Sequence, residues 1–141
     1  MSIAPDVSQW NRLGETANAQ FYQVEEGILA IVPEVNSTDT EETAKASVEF
    51  QHRHWTDEGR PGGSVIFMDR LRDSQAGARQ VYTKMPDQRL ITGFALVGGT
   101  VFGRAVASVF MGLNKPSAPT RMFGDVDEAL SWLRKQNEQR G

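Results

Sequence analysis

Two spacings of apolar residues alternate along the chain and predict the order of its secondary structure. Dense or alternating apolar runs, typical of strands, occupy residues 20–25, 27–33, 64–69, 89–99 and 120–123. Helical spacing follows the last four of these runs, at about 38–55, 74–85, 101–113 and 125–136. The order is therefore β-β-α-β-α-β-α-β-α. Right-handed crossovers then predict an α/β fold, with a mainly parallel sheet after an N-terminal hairpin.

Capping residues mark the predicted helix starts. Thr38 and Asp39 each precede a glutamate by three residues, which is the spacing of a capping box. Asp73-Ser74 predicts the N-cap of the second helix, Thr100 that of the third and Asp125 that of the fourth. On the first helix, one stripe is predicted to face the core and consists of Ala44, Val48, Gln51 and Trp55.

A single domain accounts for most of the 141 residues. Residues 1–18 lack a clear period and are predicted to form an N-terminal extension, in which Trp10 is the candidate for docking onto the domain. The domain itself is predicted to span residues 19–136, and residues 137–141 are predicted to form a frayed tail.

Composition and charge exclude several classes of protein. With 39% hydrophobic and 23% charged residues, the chain is too apolar to be disordered. Its net charge of −3 includes no basic block, so no nucleic-acid partner is expected. No cysteine is present, which excludes disulfides and thiolate chemistry. The N-terminus lacks a secretory signal and no apolar run spans a bilayer, so we expect a cytoplasmic protein without an integral membrane segment.

Three local motifs, together with the element order, resemble a known family. VIFMD followed by RLRDSQAG is similar to that family's central strand and its Asp-Ser-Ser/Thr-Gly turn. LVGG before an apolar helix is similar to its fourth strand and third helix, and RMFGDVDEALSWL resembles its C-terminal segment. The family is the STAS domain (the SpoIIAA-like, anti-sigma-factor-antagonist fold), which is structurally akin to SEC14-type lipid-binding folds. The motifs cover residues 64–135.

The resemblance implies a regulatory module that works by protein–protein interaction rather than an enzyme. It implies bacterial signalling, with a protein partner such as a kinase or anti-sigma-like regulator, or self-association as a homodimer. In the family a serine or threonine of the turn is phosphorylated, and Ser74 is the candidate here. The residues expected to support the Ser74 turn are Asp69, Asp73 and Gly77. Because Gln75-Ala76 separates Ser74 from Gly77, a plain N-cap is the alternative.

The predicted third helix, 101–113, is apolar around most of its circumference. It is therefore either unusually buried or covered by a partner or a ligand. The residues of this candidate interface or apolar groove are Phe102, Val106, Ala107, Phe110 and Met111. A SEC14-like carrier of a small apolar ligand or lipid is the alternative function. Its pocket would be lined by Phe94, Phe102, Val106, Phe110 and Trp132.

Catalytic and cofactor motifs are weak, and we predict no metal, no cofactor and no catalytic residue. His52 and His54 lie two residues apart on a predicted helix, where their rings diverge. No G-x-S-x-G nucleophile motif occurs. The segment GGTVFGR (98–104) faintly resembles a phosphate loop, but it matches neither G-x-G-x-x-G nor a Walker motif, so tight turning and close helix packing are the favoured interpretation. An acid–base enzyme would have to use Asp69 and Asp73, and it is the third alternative.

Overall fold

The computed structural model describes residues 3–101, 103–105, 108 and 117–140. Within them, the strands are β1 (Asn11–Thr16), β2 (Ala19–Glu25), β3 (Ile28–Pro33), β4 (Ser37–Asp39), β5 (Gly62–Phe67), β6 (Leu71–Ser74), β7 (Ile91–Val97) and β8 (Thr120–Phe123). The helices with defined bounds are α1 (Glu41–Glu58), α2 (Ala76–Lys84) and the C-terminal helix α3 (Val126–Arg140). Residues 101, 103–105 and 108 are also helical. None of the described helices is long and apolar enough to cross a membrane.

The main sheet has the order β1-β2-β3-β5-β7-β8. The first three strands are antiparallel, and the strands from β3 to β8 are parallel. This confirms the predicted α/β fold with an N-terminal hairpin and a mainly parallel sheet. Since the parallel strands run the same way, they end at one edge of the sheet. We call this the carboxyl edge, and it is formed by the residues that follow Pro33, Phe67, Val97 and Phe123.

Both faces of the sheet are covered, which is why its central strands are buried along their whole length and mostly apolar. Along β3, Ile28 and Ala30 belong to a buried cluster with Leu133 of α3. Leu29 points to the opposite face and packs in a cluster with Trp55 of α1. The molecule is therefore a three-layer sandwich, with α1 and α2 on one face of the sheet and α3 on the other.

The start of α1 differs from the prediction. Residues 37–39 form β4, which pairs in parallel with β6, and the capping box joins Thr40 and Thr43. The predicted boxes at Thr38 and Asp39 are therefore wrong, because pairing with β6 holds both residues in an extended conformation. The predicted core stripe on α1 is confirmed, since Ala44, Val48, Gln51 and Trp55 are all buried.

The start of α2 also differs. Its N-cap is Gln75, whose side chain makes no capping hydrogen bond. Asp73 and Ser74 lie in β6, opposite Thr38 and Asp39. The N-cap predicted at Asp73-Ser74 is wrong for the same reason, since a distant strand extends this segment by pairing with it.

Both ends of the chain are more ordered than the sequence indicates. β1 was not predicted, yet it pairs with β2, and the preceding Trp10 docks against Tyr22 and Phe67 with ring centroids 6.2 and 5.9 Å away. The predicted frayed tail is helical through Arg140. Asn137 anchors it by donating to the Gly27 carbonyl at 3.0 Å.

Candidate functional site

The carboxylate of Asp69 organises the carboxyl edge. Asp69 lies in a 3-10 turn directly after β5. Its Oδ2 accepts hydrogen bonds from the backbone N–H groups of Ile3 and Gly99, at 2.8 and 2.9 Å. Its Oδ1 accepts from the backbone N–H and the hydroxyl of Thr100, at 3.0 and 2.7 Å. One side chain thus joins the N-terminal segment, the end of β5 and the turn after β7.

These hydrogen bonds set the charge of Asp69. Partial burial raises the pKa of its carboxyl group, but the donors on Ile3, Gly99 and Thr100 outweigh burial and leave the pKa below its ordinary value. Asp69 is therefore ionised at neutral pH. A carboxylate held this way is poorly suited to acid–base catalysis at that pH.

The GGTVFGR turn is built around this carboxylate. The Thr100 hydroxyl accepts a hydrogen bond from the backbone N–H of Gly103 at 2.9 Å, so the predicted Thr100 cap is confirmed. A Cβ atom on Gly103 would lie 2.0 Å from Asp69 Oδ1, so only glycine fits there. The N–H groups of Gly99 and Thr100, which a phosphate would use, donate to Asp69 instead. The resemblance to a phosphate loop is thereby explained by an internal anion.

Hydrogen bonds also fix the neighbouring loop of the carboxyl edge. Arg70 Nε donates to the Pro33 carbonyl at 2.5 Å, and the Asn36 N–H donates to the Arg70 carbonyl at 2.9 Å. Val35, between these contacts, is 64% exposed, and Val101, after the Thr100 cap, is 89% exposed. They are the two most exposed large apolar side chains of the described residues, and both lie at this edge.

Ser74 is placed differently from what a kinase substrate needs. It is 4% exposed, and its hydroxyl has no hydrogen-bond partner among the described residues. Its N–H donates to Asp73 Oδ1 at 2.8 Å. Asp69 does not bond to the Ser74 turn, because its carboxylate serves Gly99 and Thr100. In this conformation a kinase has no access to the Ser74 hydroxyl, and phosphorylation there stays a prediction.

Some of the remaining candidate residues are described by the structure and others are not. Gly77 lets α1 and α2 approach, since a Cβ atom there would lie 3.1 Å from Glu41 Cβ. Phe94 and Trp132, predicted to line one pocket, belong to clusters on opposite faces of the sheet, so that pairing is wrong. The predicted interface lies outside the described residues, and it comprises Phe102, Val106, Ala107, Phe110 and Met111.

Of the two histidines, His52 has a hydrogen-bond partner, whereas His54 Nε2 is buried without one among the described residues. His52 Nε2 accepts a hydrogen bond from the Asp87 N–H at 3.0 Å. Burial lowers the pKa of His52, and the nearby carboxylates of Asp87 and Glu49 oppose that shift. His54 lies 3.8 Å from Glu58, one turn along α1. Among the described residues, no three histidine or acidic side chains are arranged to hold a metal ion.

A buried polar group between α1 and α2 was missed by the sequence analysis. The carboxylate of Asp39 accepts hydrogen bonds from the Thr43 hydroxyl at 2.5 Å and from the Tyr82 hydroxyl at 2.8 Å. Burial raises the pKa of Asp39, and these donors, with Asn18, partly offset the rise. Tyr82 is 43 residues away in sequence, so only the capping-type spacing between Asp39 and Thr43 offered a local signal.

Comparison with known proteins adds a family and a fold. Residues 22–137 match the family model described as "Domain of unknown function (DUF7793)". Among curated proteins, no relative matches. A crystal structure from Shewanella loihica PV-4, described as an uncharacterized protein of the DUF3478 family with a SpoIIAA-like fold, is 14% identical. The two structures superpose with a TM-score of 0.54, and the superposition covers 94% of this chain and 98% of the Shewanella chain. The chain thus belongs to the DUF7793 family, and its fold is SpoIIAA-like.

Proposed function

We propose that this protein is a SpoIIAA-like, non-enzymatic binding module that contacts a protein partner through its carboxyl edge. The observation that carries the proposal is the exposure of Val35 and Val101 on either side of the Asp69 turn. Single exposed apolar residues are common on protein surfaces. Two apolar residues with this much exposure at one edge of a parallel sheet are less common. In α/β folds, ligands bind at the carboxyl ends of the strands.

The surroundings of these two valines favour binding. Hydrogen bonds from Arg70 to Pro33 and from Thr100 to Asp69 fix the backbone next to each valine. A surface already held in shape loses less conformational entropy when it binds. Burying one such valine stabilises a complex by about 1.5 kcal/mol or more.

Charge indicates what the partner offers. Arg104 is exposed beside Val101, and its Nε donates to the Gly98 carbonyl at 3.4 Å. Arg70 lies beside the Val35 loop and is half-buried. We therefore expect a partner surface with an apolar centre and acidic groups at its rim. A second copy of the chain is the other occupant to be tested.

Paired substitutions test the proposal. Val35→Ser with Val101→Ser removes apolar area from the carboxyl edge. The matched control is Val7→Ser with Leu13→Ser, both 37% exposed near the N-terminus. Partners captured on the native protein should be lost by the first variant and kept by the control. Sedimentation of the same proteins reports on self-association, and circular dichroism verifies folding.

Retention of every partner, and of any self-association, by a folded Val35→Ser/Val101→Ser protein would contradict the proposal. Equal losses with the Val7→Ser/Leu13→Ser control would also count against it, because the effect would then not be specific to the carboxyl edge.

A further inference from the structure

A cavity of about 50 Å³ lies between the sheet and the helices α1 and α2, and its lining includes Pro33 and Met68 at the carboxyl edge. Its floor is apolar and is formed by buried side chains, among them Ile31, Met68, Leu71, Phe94 and Leu96. Genuinely apolar cavities exclude water and accept small apolar groups. A ligand that fits this floor therefore has a small apolar body.

One wall of the cavity is polar but fully used within the protein. The Asp39 carboxylate is occupied by donors from Thr43 and Tyr82. Gln51 donates to Ser47 at 3.2 Å and accepts from the Ser64 hydroxyl at 3.0 Å. Because these groups satisfy one another, this wall offers little to a ligand's polar group.

The other polar side of the cavity carries a donor without an acceptor. Arg79 lines the cavity and is half-buried, and its Nε is inaccessible to solvent and has no hydrogen-bond partner among the described residues. Arg79 Nη1 donates to the Ser74 carbonyl, so the unpartnered Ser74 hydroxyl belongs to the same neighbourhood. A buried donor left unpaired destabilises a protein, so a ligand that supplies an acceptor is favoured here.

Arg79 is also without an ion pair among the described residues, whose ion pairs involve other basic side chains. A guanidinium group donates in a planar fork that matches a carboxylate. Arg79 and Thr83 both line the cavity and are half-buried, whereas the side chains of the apolar floor are buried.

We propose that this cavity binds a small monocarboxylate with a short apolar body, whose carboxylate accepts hydrogen bonds from Arg79. The apolar body contacts Phe94 and Leu96, and the size of the cavity limits it to a short chain or a single ring. The cavity lining includes neither Val35 nor Val101, on which the protein contact proposed for the carboxyl edge rests.

Methyl NMR titration tests the proposal with three five-carbon probes of matched length: pentanoate, pentan-1-ol and pentylamine. Pentanoate should shift the methyl signals of Ile31, Leu71 and Leu96 saturably. It should bind about tenfold more tightly than pentan-1-ol, because a charge-assisted hydrogen bond is the stronger kind. Pentylamine should bind no better than pentan-1-ol.

Arg79→Gln supplies the second arm, with Arg72→Gln as control, since Arg72 is exposed and the charge change is the same. Arg79→Gln should bring pentanoate down to the affinity of pentan-1-ol, and Arg72→Gln should leave the preference intact. The proposal is overturned if no probe gives saturable shifts, or if pentan-1-ol or pentylamine binds as tightly as pentanoate. It is also overturned if a folded Arg79→Gln protein keeps the preference.

Discussion

Asp69 takes the place, within the chain, of an anion that the turn after β7 would otherwise attract. The N–H groups of Gly99 and Thr100 converge where a helix begins, and this is an arrangement that binds phosphate in many proteins. Here the carboxylate of Asp69, from the 3-10 turn after the neighbouring strand β5, accepts from both. The turn is thus fixed before any partner arrives, which suits a binding surface better than a nucleotide site.

Asp69→Asn should lower the free energy of unfolding by about 1–3 kcal/mol at neutral pH, because it removes the charge that four donors stabilise. The folded-state pKa of Asp69 lies below its ordinary value, so its contribution is present above the unfolded-state pKa. That contribution is lost as the pH falls through the folded-state pKa. Asp69→Asn should therefore lose less stability in acid than the native protein, as measured by urea unfolding across pH.

Asp73→Asn is the control for this prediction. Asp73 is exposed, and within the described part of the chain it accepts only from the N–H of the adjacent Ser74. Asp73→Asn should lower the free energy of unfolding clearly less than Asp69→Asn does. Equal losses from the two variants, or an unchanged acid response in Asp69→Asn, would show that the hydrogen bonds of Asp69 contribute little to stability.

At this scale the sequence predicted the cap at Thr100 correctly, but it failed at the starts of α1 and α2, where pairing between β4 and β6 decides the conformation. Thr100 was identified because its partner, Gly103, lies three residues away. The role of Asp69 was not identified, because the groups that donate hydrogen bonds to its carboxylate include Gly99 and Thr100, about thirty residues further on. The buried Ser74 was likewise assigned to a helix start, since nothing local shows that β4 pairs alongside it.

Among the elements, α3 is held at its far end as well as along its apolar face. The Thr92 hydroxyl of β7 donates to Asn137 Oδ1 at 2.6 Å, and Asn137 Nδ2 donates to the Gly27 carbonyl in the turn between β2 and β3. Gly27 has a φ of 86°, which favours glycine. The helix end therefore ties two separate parts of the sheet together.

Asn137→Ala should lower the free energy of unfolding by about 1–3 kcal/mol, because it leaves the part-buried Thr92 hydroxyl without its partner and removes one of two donors to the Gly27 carbonyl. Gln139→Ala, at an exposed position two residues on, is the control and should change stability by less than about 0.5 kcal/mol. Urea unfolding measures both. If Asn137→Ala is as mild as its control, the helix end is not anchored in solution.

Element prediction succeeded where strands are buried on both faces. β3, β5 and β7 are continuous apolar runs, and β8 was predicted with its observed bounds. The short strands β4 and β6 were missed because they are polar and form only through their mutual pairing. The tail was predicted to fray because the partners of Asn137 lie 45 and 110 residues away.

For the molecule as a whole, the N-terminal segment completes both the sheet and the carboxyl edge. β1 covers the outer side of β2, where Phe21 is fully buried and stacks on Phe50 at 4.1 Å between ring centroids. The Ile3 N–H reaches Asp69. The polar, exposed character of β1 hides this role in the sequence, since its burial pattern has no buried position.

Deletion of residues 1–16 should destabilise the fold and promote self-association, because β2 becomes an unprotected edge strand. Deletion of residues 1–5 is the control, since it removes the Ile3 bond but keeps β1 and Trp10. Urea unfolding and size-exclusion chromatography distinguish the two. A monomeric, stable protein lacking residues 1–16 would mean that β1 is dispensable.

The 2.0 Å approach between Asp69 Oδ1 and a Cβ atom at position 103 makes the two positions a matched pair. A family member that keeps the acid at position 69 is constrained to glycine at 103. One that has lost the acid is released from that constraint and regains an open anion pocket at the start of the helix. Covariation between these two columns would therefore divide the family into members whose turn is sealed by their own side chain and members free to take a phosphate from outside.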